Sequence, residues 1–164
     1  RRLHDLDVTV LCDWLRYHPE VTAVDLSYNN ITNEGLQILT QFLQEFQHVT
    51  RLNFMCNDIS CQGIKCFAEL AQKLTLLSLR VNGNHIGTEG GKYLAMYLEK
   101  NTVIHHLDMA ETEQTASSLV YVLRVIQFVN RSLQFLDISR PIFKHRVQET
   151  DSLFIAECIA DMLM

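Results

Sequence analysis

The chain has 164 residues, 48% hydrophobic and 20% charged, with a formal net charge of −5. That is a globular rather than a disordered composition, and its acidic balance argues against a nucleic-acid-binding stripe. No apolar run reaches the roughly 18 residues of a membrane span.

The first element is a helix in "LHDLDVTVLCDWLRYH". Leu11 and Leu15 are its expected core residues, with Trp14 in or beside the packing face. The pattern changes period at Val24 and Leu26, whose alternation puts both on the inner side of a short strand. "NNITNEGLQIL" (29–39) follows, and the same arrangement returns twice. Leu52/Phe54 precede "NDISCQGIKCF" (57–67), and Leu79/Val81 precede "NHIGTEGGKYL" (84–94). Asn29, Asn57 and Asn84 thus recur at a nearly constant interval.

The residue types explain the spacing. An Asn at a strand exit bonds backbone groups, and stacked repeats would line these asparagines into a ladder. Gly35, Gly63 and Gly90 fall near helix starts, where a side chain would crowd the neighbouring turn. Leu36/Leu39/Leu43, Ile64/Phe67/Ala71 and Leu94/Leu98 have the spacing of an amphipathic helix. One interval back, Leu3 takes the Ile31 position and Asp7 the glycine position, so the first helix belongs to the same series.

"GNHIGTEGGK" contains a Gly-Lys pair, but no phosphate loop. The place where that loop needs its first glycine is held by Ile86, and the residue after Lys92 is Tyr93 rather than Ser or Thr. These glycines are repeat punctuation.

The fourth step is degenerate. Leu107 and Met109 keep the strand, but Thr112, Gln114 and Ser118 replace the Asn, Ile and Gly. Its helix, "SSLVYVLRVIQFV", stays apolar. The fifth step has Leu136 and Ile138 in the strand and Pro141 at the Asn position. A polar stretch, "FKHRVQE", then precedes a helix that Thr150 or Asp151 could cap. About five repeats are expected, near 21–48, 49–75, 76–103, 104–132 and 133–164, after a partial one near 1–20 that contributes only its helix. They form one domain, expected to be part of a longer solenoid because no polar capping repeat is visible.

A 27–29-residue unit reading L-x-L-x-x-N-x-I-x-x-x-G with a full helix resembles the ribonuclease-inhibitor-like class of leucine-rich repeats. The resemblance implies an α/β fold: a right-handed solenoid (a horseshoe arc) with parallel strands on its concave face and helices on its convex face. It also implies an intracellular, non-catalytic protein-binding module in the cytoplasm or nucleus, with nucleolus or cilium as further options. A GTPase-activating or immune-sensor module is the alternative.

The binding face is then expected from outward strand residues and their exits: Asp25, Tyr28, Arg51, Asn53, Arg80, Asn82, His106, Asp108, Phe135, Asp137 and Arg140. Aromatic and Arg side chains are enriched at interfaces. Other outward positions are Ala23, Ser27, Met55, Ser78, Ala110 and Ser139, with Glu111 nearby. A solvated sheet face would read the same way.

No catalytic residues, cofactor, small-molecule substrate or metal site are expected. His105 and His106 are adjacent on a strand and point to opposite faces, His106 outward. Asp108 and Asp137 would be neighbours, but on an open face without a pocket. Cys56, Cys61 and Cys66 are evenly spaced but lack metal-ligand pairing. With five cysteines and no framework, reduced thiols are expected. Asn30-Ile31-Thr32 and Asn130-Arg131-Ser132 are chance glycosylation sequons unless the chain is secreted.

Overall fold

The computed structural model describes residues 1–141, 153, 155–157 and 160. Helices and strands alternate: α1 (Asp5–Leu15), β1 (Ala23–Asp25), α2 (Asn33–Glu45), β2 (Arg51–Asn53) and α3 (Cys61–Leu70). A 3-10 turn (Ala71–Lys73) leads to β3 (Ser78–Arg80), α4 (Gly87–Lys100), β4 (His106–Asp108), α5 (Ala116–Phe128) and β5 (Phe135–Asp137). The strands form one parallel sheet in chain order, with Val24, Leu52, Leu79, Leu107 and Leu136 in register. This is the expected α/β repeat solenoid. The "FKHRVQE" stretch and the helix cap at Thr150 or Asp151 lie outside the described residues.

Strands stack about 4.8 Å apart, whereas packed helices need about 8–10 Å. The helix layer is therefore the longer one, and the sheet becomes the concave face. Between the layers, Leu26, Ile31, Phe54, Ile59, Val81 and Ile86 are buried with the helix residues Leu39, Leu43, Ile64, Phe67 and Leu98. Thr32 and Ser60 begin α2 and α3 by accepting hydrogen bonds from the N–H groups of Glu34 and Gln62.

The asparagine ladder forms. Asn57 Oδ1 accepts from Ile31 N–H (3.0 Å), while its Nδ2 donates to Leu26 O (2.9 Å) and Phe54 O (3.1 Å). Asn84 repeats this one unit later, accepting from Ile59 N–H (3.0 Å) and donating to Phe54 O and Val81 O (both 2.8 Å). Each amide thus ties its turn to the preceding repeat. A second ladder, absent from the sequence expectations, runs at the helix exits. Asn101 donates to Leu74 O (3.0 Å), and Asn130 donates to Leu98 O (2.8 Å) and Asn101 O (2.9 Å). Asn130 is buried by these bonds, so its sequon is closed to a glycan in the folded chain.

The glycines meet the neighbours expected of them. A Cβ on Gly35 would collide with Asp5 Oδ1, one on Gly63 with Asn33 Oδ1, and one on Gly90 with Ile86 Cγ2. Asp5 and Asn33 are themselves inter-repeat struts. Asp5 Oδ1 accepts from the N–H groups of Thr32 (2.8 Å) and Gly35 (3.0 Å), and Asn33 Oδ1 accepts from Ser60 N–H (2.9 Å).

The degenerate repeat is repaired rather than damaged. Gln114 and Ser118 are buried at the Ile and Gly positions. Ser118 Oγ donates to Gln114 Oε1 (2.7 Å), and Gln114 Nε2 donates to Gly87 O and Thr112 O (both 3.0 Å). Gly91 makes the room, since a Cβ there would collide with Gln114 Oε1 and stand 3.0 Å from Ser118 Cβ.

Trp14 stands beside the packing face rather than in it. Leu15 is buried and Leu11 half-buried, but Trp14 is about half exposed and stacks on His18 with ring centroids 3.7 Å apart. Its counterpart in α2 is Phe42, buried where α1 packs on α2; among the described residues no helix lies beyond α1.

Tyr97 is fully buried, 5.0 Å from the Phe67 ring, and its hydroxyl has no hydrogen-bond partner among the described residues. Burial holds the phenol above its ordinary pKa. Tyr97→Phe removes that stranded hydroxyl and should raise stability by about 1 kcal/mol, read as ~2–4 °C in Tm.

Candidate functional site

The sheet register places the expected binding residues in rows. Ala23, Arg51, Ser78, His106 and Phe135 form one row, and Asp25, Asn53, Arg80, Asp108 and Asp137 form the next. Asn82 follows on the β3 exit, while Tyr28, Glu111 and Arg140 stand in the turns beyond the strands.

The middle row is more than a display of charge. Four of its members accept a hydrogen bond from the N–H two residues on. Asp25 Oδ1 accepts from Ser27 (2.9 Å), Asn53 Oδ1 from Met55 (3.0 Å), Asp108 Oδ1 from Ala110 (3.3 Å) and Asp137 Oδ1 from Ser139 (2.9 Å). These local turns bend each strand toward its helix. Ser27 Oγ also donates to Asp25 Oδ1 (2.6 Å), and these bonds hold the Asp25 carboxyl below its usual range. Links cross the strands as well, with Asn53 Nδ2 donating to Asp25 Oδ2 (3.1 Å) and Arg80 Nε to Asp108 Oδ2 (3.2 Å).

Asp108 and Ala110 require a correction. Both belong to the expected open face, and both are buried. Asp108 spends one oxygen on the turn and the other on Arg80, so little of it is presented outward. Asp137, its neighbour in register, holds its own turn. Both carboxylates thus serve the turns of their own strands.

The turn residues form a series that the sequence reading missed. Tyr28, Cys56, Gly83, Glu111 and Arg140 all have positive φ, between 53° and 71°. Each immediately precedes the Asn position of its repeat. Only Gly83 takes this conformation without strain, which costs the others roughly 1 kcal/mol each. The strained backbone raises side chains off the rim, where Tyr28 is exposed and Arg140 pairs with Glu111.

His106 stacks on Phe135, with centroids 4.3 Å apart, so it faces the sheet side as expected; His105 is half-buried. His106 Nε2 and Asn82 Oδ1 are buried without hydrogen-bond partners among the described residues. Arg51 makes one long contact, Nη2 to Thr22 Oγ1 at 3.3 Å. The groups left to an external partner are therefore Arg51, Phe135 with His106, and Tyr28.

Other chemistry finds less support. Among the described residues no group of three or more His, Cys, Asp or Glu side chains could hold a metal ion. Cys56, Cys61 and Cys66 are half-buried, and burial pushes the Cys12 thiol up to about 11. An open groove of about 360 Å³ lies between the ends of α2 and α3, lined by Gln44, Gln47, Glu69, Leu70, Gln72, Lys73 and Leu74. It holds no nucleophile–base pair. No helix among the described residues is long and apolar enough to cross a membrane.

Comparison with known proteins agrees with this architecture. Residues 18–39, 47–68 and 72–95 match the leucine-rich repeat family. No curated protein matches the chain in sequence. Among solved structures it is similar to Leiomodin-1 Actin-Binding Site 2, at 17% identity and a TM-score of 0.71, over 92% of this chain and 87% of that one. It is also similar to the C-terminal domain of tropomodulin from Caenorhabditis elegans, at 18% identity and a TM-score of 0.69, over 94% and 92% of the two chains. With leucine-rich repeats matched at three places, and two more strands continuing the same parallel ladder, the chain folds as an α/β repeat solenoid.

Proposed function

We propose that this chain is a non-catalytic protein-interaction module that binds a partner protein through its concave sheet face. The observation that carries the reading is the cluster of unspent anchors: Arg51 with a single long contact, Phe135 stacked on His106, and exposed Tyr28. Each is an interface-enriched type on a broad open surface. Leiomodin-1 carries an actin-binding site on the same fold, so actin is the first partner to assay. The order of repeat variants, ending in Arg140-Pro141, is similar to that of leucine-rich repeat-containing protein 34. That likeness favours a scaffold working in the cytoplasm or nucleus.

The test is affinity capture with quantitative mass spectrometry, beside co-sedimentation with actin. The chain is compared with an Arg51→Glu/Phe135→Ala/Tyr28→Gly variant. Tyr28→Gly relieves positive-φ strain, so the aromatic is lost without cost to the turn. Partners depleted about tenfold or more by the variant support the sheet face. An unchanged partner set refutes it and moves the search to the loop after Pro141. Faster GTP hydrolysis by a small GTPase would instead favour the regulatory alternative.

A further inference from the structure

We infer that the concave face carries a carboxylate-recognition point at the exit of β3, where an Asp or Glu side chain of the partner protein accepts the Asn82 N–H and pairs with Arg80. It rests on the concave-face reading, and one break in the turn pattern of the sheet specifies its chemistry. β1, β2, β4 and β5 each carry Asp or Asn in the middle row, and each uses that side chain to accept the N–H two residues on. β3 carries Arg80 there, which has only donors. The N–H two residues after it, that of Asn82, makes no hydrogen bond among the described residues.

The sheet does not serve this N–H itself. Val81 and Gly83 donate toward β4, to Asp108 O (2.9 Å) and Ala110 O (3.0 Å), so by alternation the Asn82 N–H faces β2. The next carbonyl of the ladder on that side is Phe54 O, and the asparagine ladder has taken it, with Asn57 Nδ2 at 3.1 Å and Asn84 Nδ2 at 2.8 Å. One repeat earlier, Asn29 and Asn57 take Leu26 O in the same way, and there Asn53 Oδ1 accepts the Met55 N–H instead. Each strand therefore needs a side-chain oxygen at this point on the sheet face, and among the described strands β3 alone supplies none. Asn82 Oδ1, buried without a donor, marks the same turn as unfinished.

Charge specifies which oxygen. Arg80 gives Asp108 only its Nε, at 3.2 Å; its terminal nitrogens make no hydrogen bond among the described residues, and the side chain is 40% exposed. An oxygen entering beside the Asn82 N–H meets that guanidinium, and a carboxylate gains a charge-assisted bond there that a neutral amide does not. The nearby acids are already committed. Asp25 and Asp108 each hold the N–H of their own turn and a second donor from an adjacent strand. β3 is the central strand of the five, with described neighbours on both sides, so the exposure of this point owes nothing to an end of the solenoid.

The probe is sodium acetate, followed by NMR through the Asn82 amide resonance of the isotope-labelled chain, with sodium chloride at matched ionic strength as the blank. The expected result is a saturable shift with a half-point of about 10–50 mM. Acetamide, which offers the same oxygen without the charge, should need at least about fivefold more. Arg80→Asn gives β3 the acceptor that Asn53 gives β2, so its Asn82 amide should no longer respond. Arg80→Ala removes the guanidinium but leaves the N–H unserved, and should weaken acetate by about threefold to tenfold. The remaining amide resonances report whether each variant is folded, and the titration of the unaltered chain stands without either. An Asn82 amide that acetate moves no more than chloride does would overturn the proposal, as would an equal response to acetamide or a full response in folded Arg80→Asn. Affinity capture separates this from the concave-face reading. Partners depleted both by Arg80→Asn and by Arg51→Glu/Phe135→Ala/Tyr28→Gly support the recognition point. Partners lost only from the triple variant would sink it and leave the concave-face reading in place.

Discussion

Asn84→Ala should cost on the order of 3–5 kcal/mol, a larger loss than any surface substitution in the chain. The side chain is buried and serves Ile59 N–H, Phe54 O and Val81 O, with a longer bond to Asn82 O at 3.4 Å. Truncation leaves them in the interior without their partner. Thermal unfolding followed by circular dichroism should drop by ~10–15 °C at this chain length. Asn57→Ala should fall close behind. Asn29→Ala should cost clearly less, because Asn29 is only half-buried: it accepts from Leu3 N–H (2.8 Å) like its counterparts, but its Nδ2 donates only to Leu26 O and Ser27 O of its own repeat. Equal losses at all three positions would show that full burial and the donor bond to the preceding repeat carry none of the effect.

Gly63→Ala is the second large effect, with an expected net loss of about 2–3 kcal/mol. Alanine is the better helix former by about 1 kcal/mol, so propensity alone predicts a gain. The added methyl would collide with Asn33 Oδ1 and stand 3.1 Å from Asn33 Cα. The second contact is with backbone, so rotating the Asn33 side chain cannot relieve it. Moving Asn33 also breaks its bonds to Ser60 N–H and Ser60 Oγ, both 2.9 Å. Overpacking and lost hydrogen bonds together outweigh the propensity term. The readout is denaturant midpoint at unchanged m-value, with Gly63→Ala/Asn33→Ala as the second variant. If the clash is the cause, the double variant destabilises by less than the sum of the two single changes.

Much of this molecule was legible because its rules are local. A strand with two inward apolar residues shows as alternation, so Leu52/Phe54 and Leu79/Val81 could be set inward without coordinates. Gly63 and Asn84 could be picked out because turns and close approaches accept few residue types. Their recurrence at a nearly fixed interval turned weak local signals into one strong periodic one.

The functional face was legible only as rows. That Asp25, Asn53, Arg80, Asp108 and Asp137 line up followed from counting. That four of them are spent on the N–H two residues later did not, although D-L-S, N-F-M, D-M-A and D-I-S carry that signal in retrospect. The burial of Asp108 depends on Arg80, which lies in the preceding repeat, and no single repeat contains both.

What the sequence determined by itself was the repeat, the direction of each strand residue and the places where glycine and asparagine are required. Each follows from the pleat of the chain or the geometry of one turn. Only the tertiary structure decided which polar groups are spent and which remain for a partner. It alone showed that Gln114, Ser118 and Gly91 repair one another, and that Trp14 stands outside. In a solenoid every side chain is finished by the repeat beside it. Its burial is therefore a property of two units packed together and is written in neither one alone.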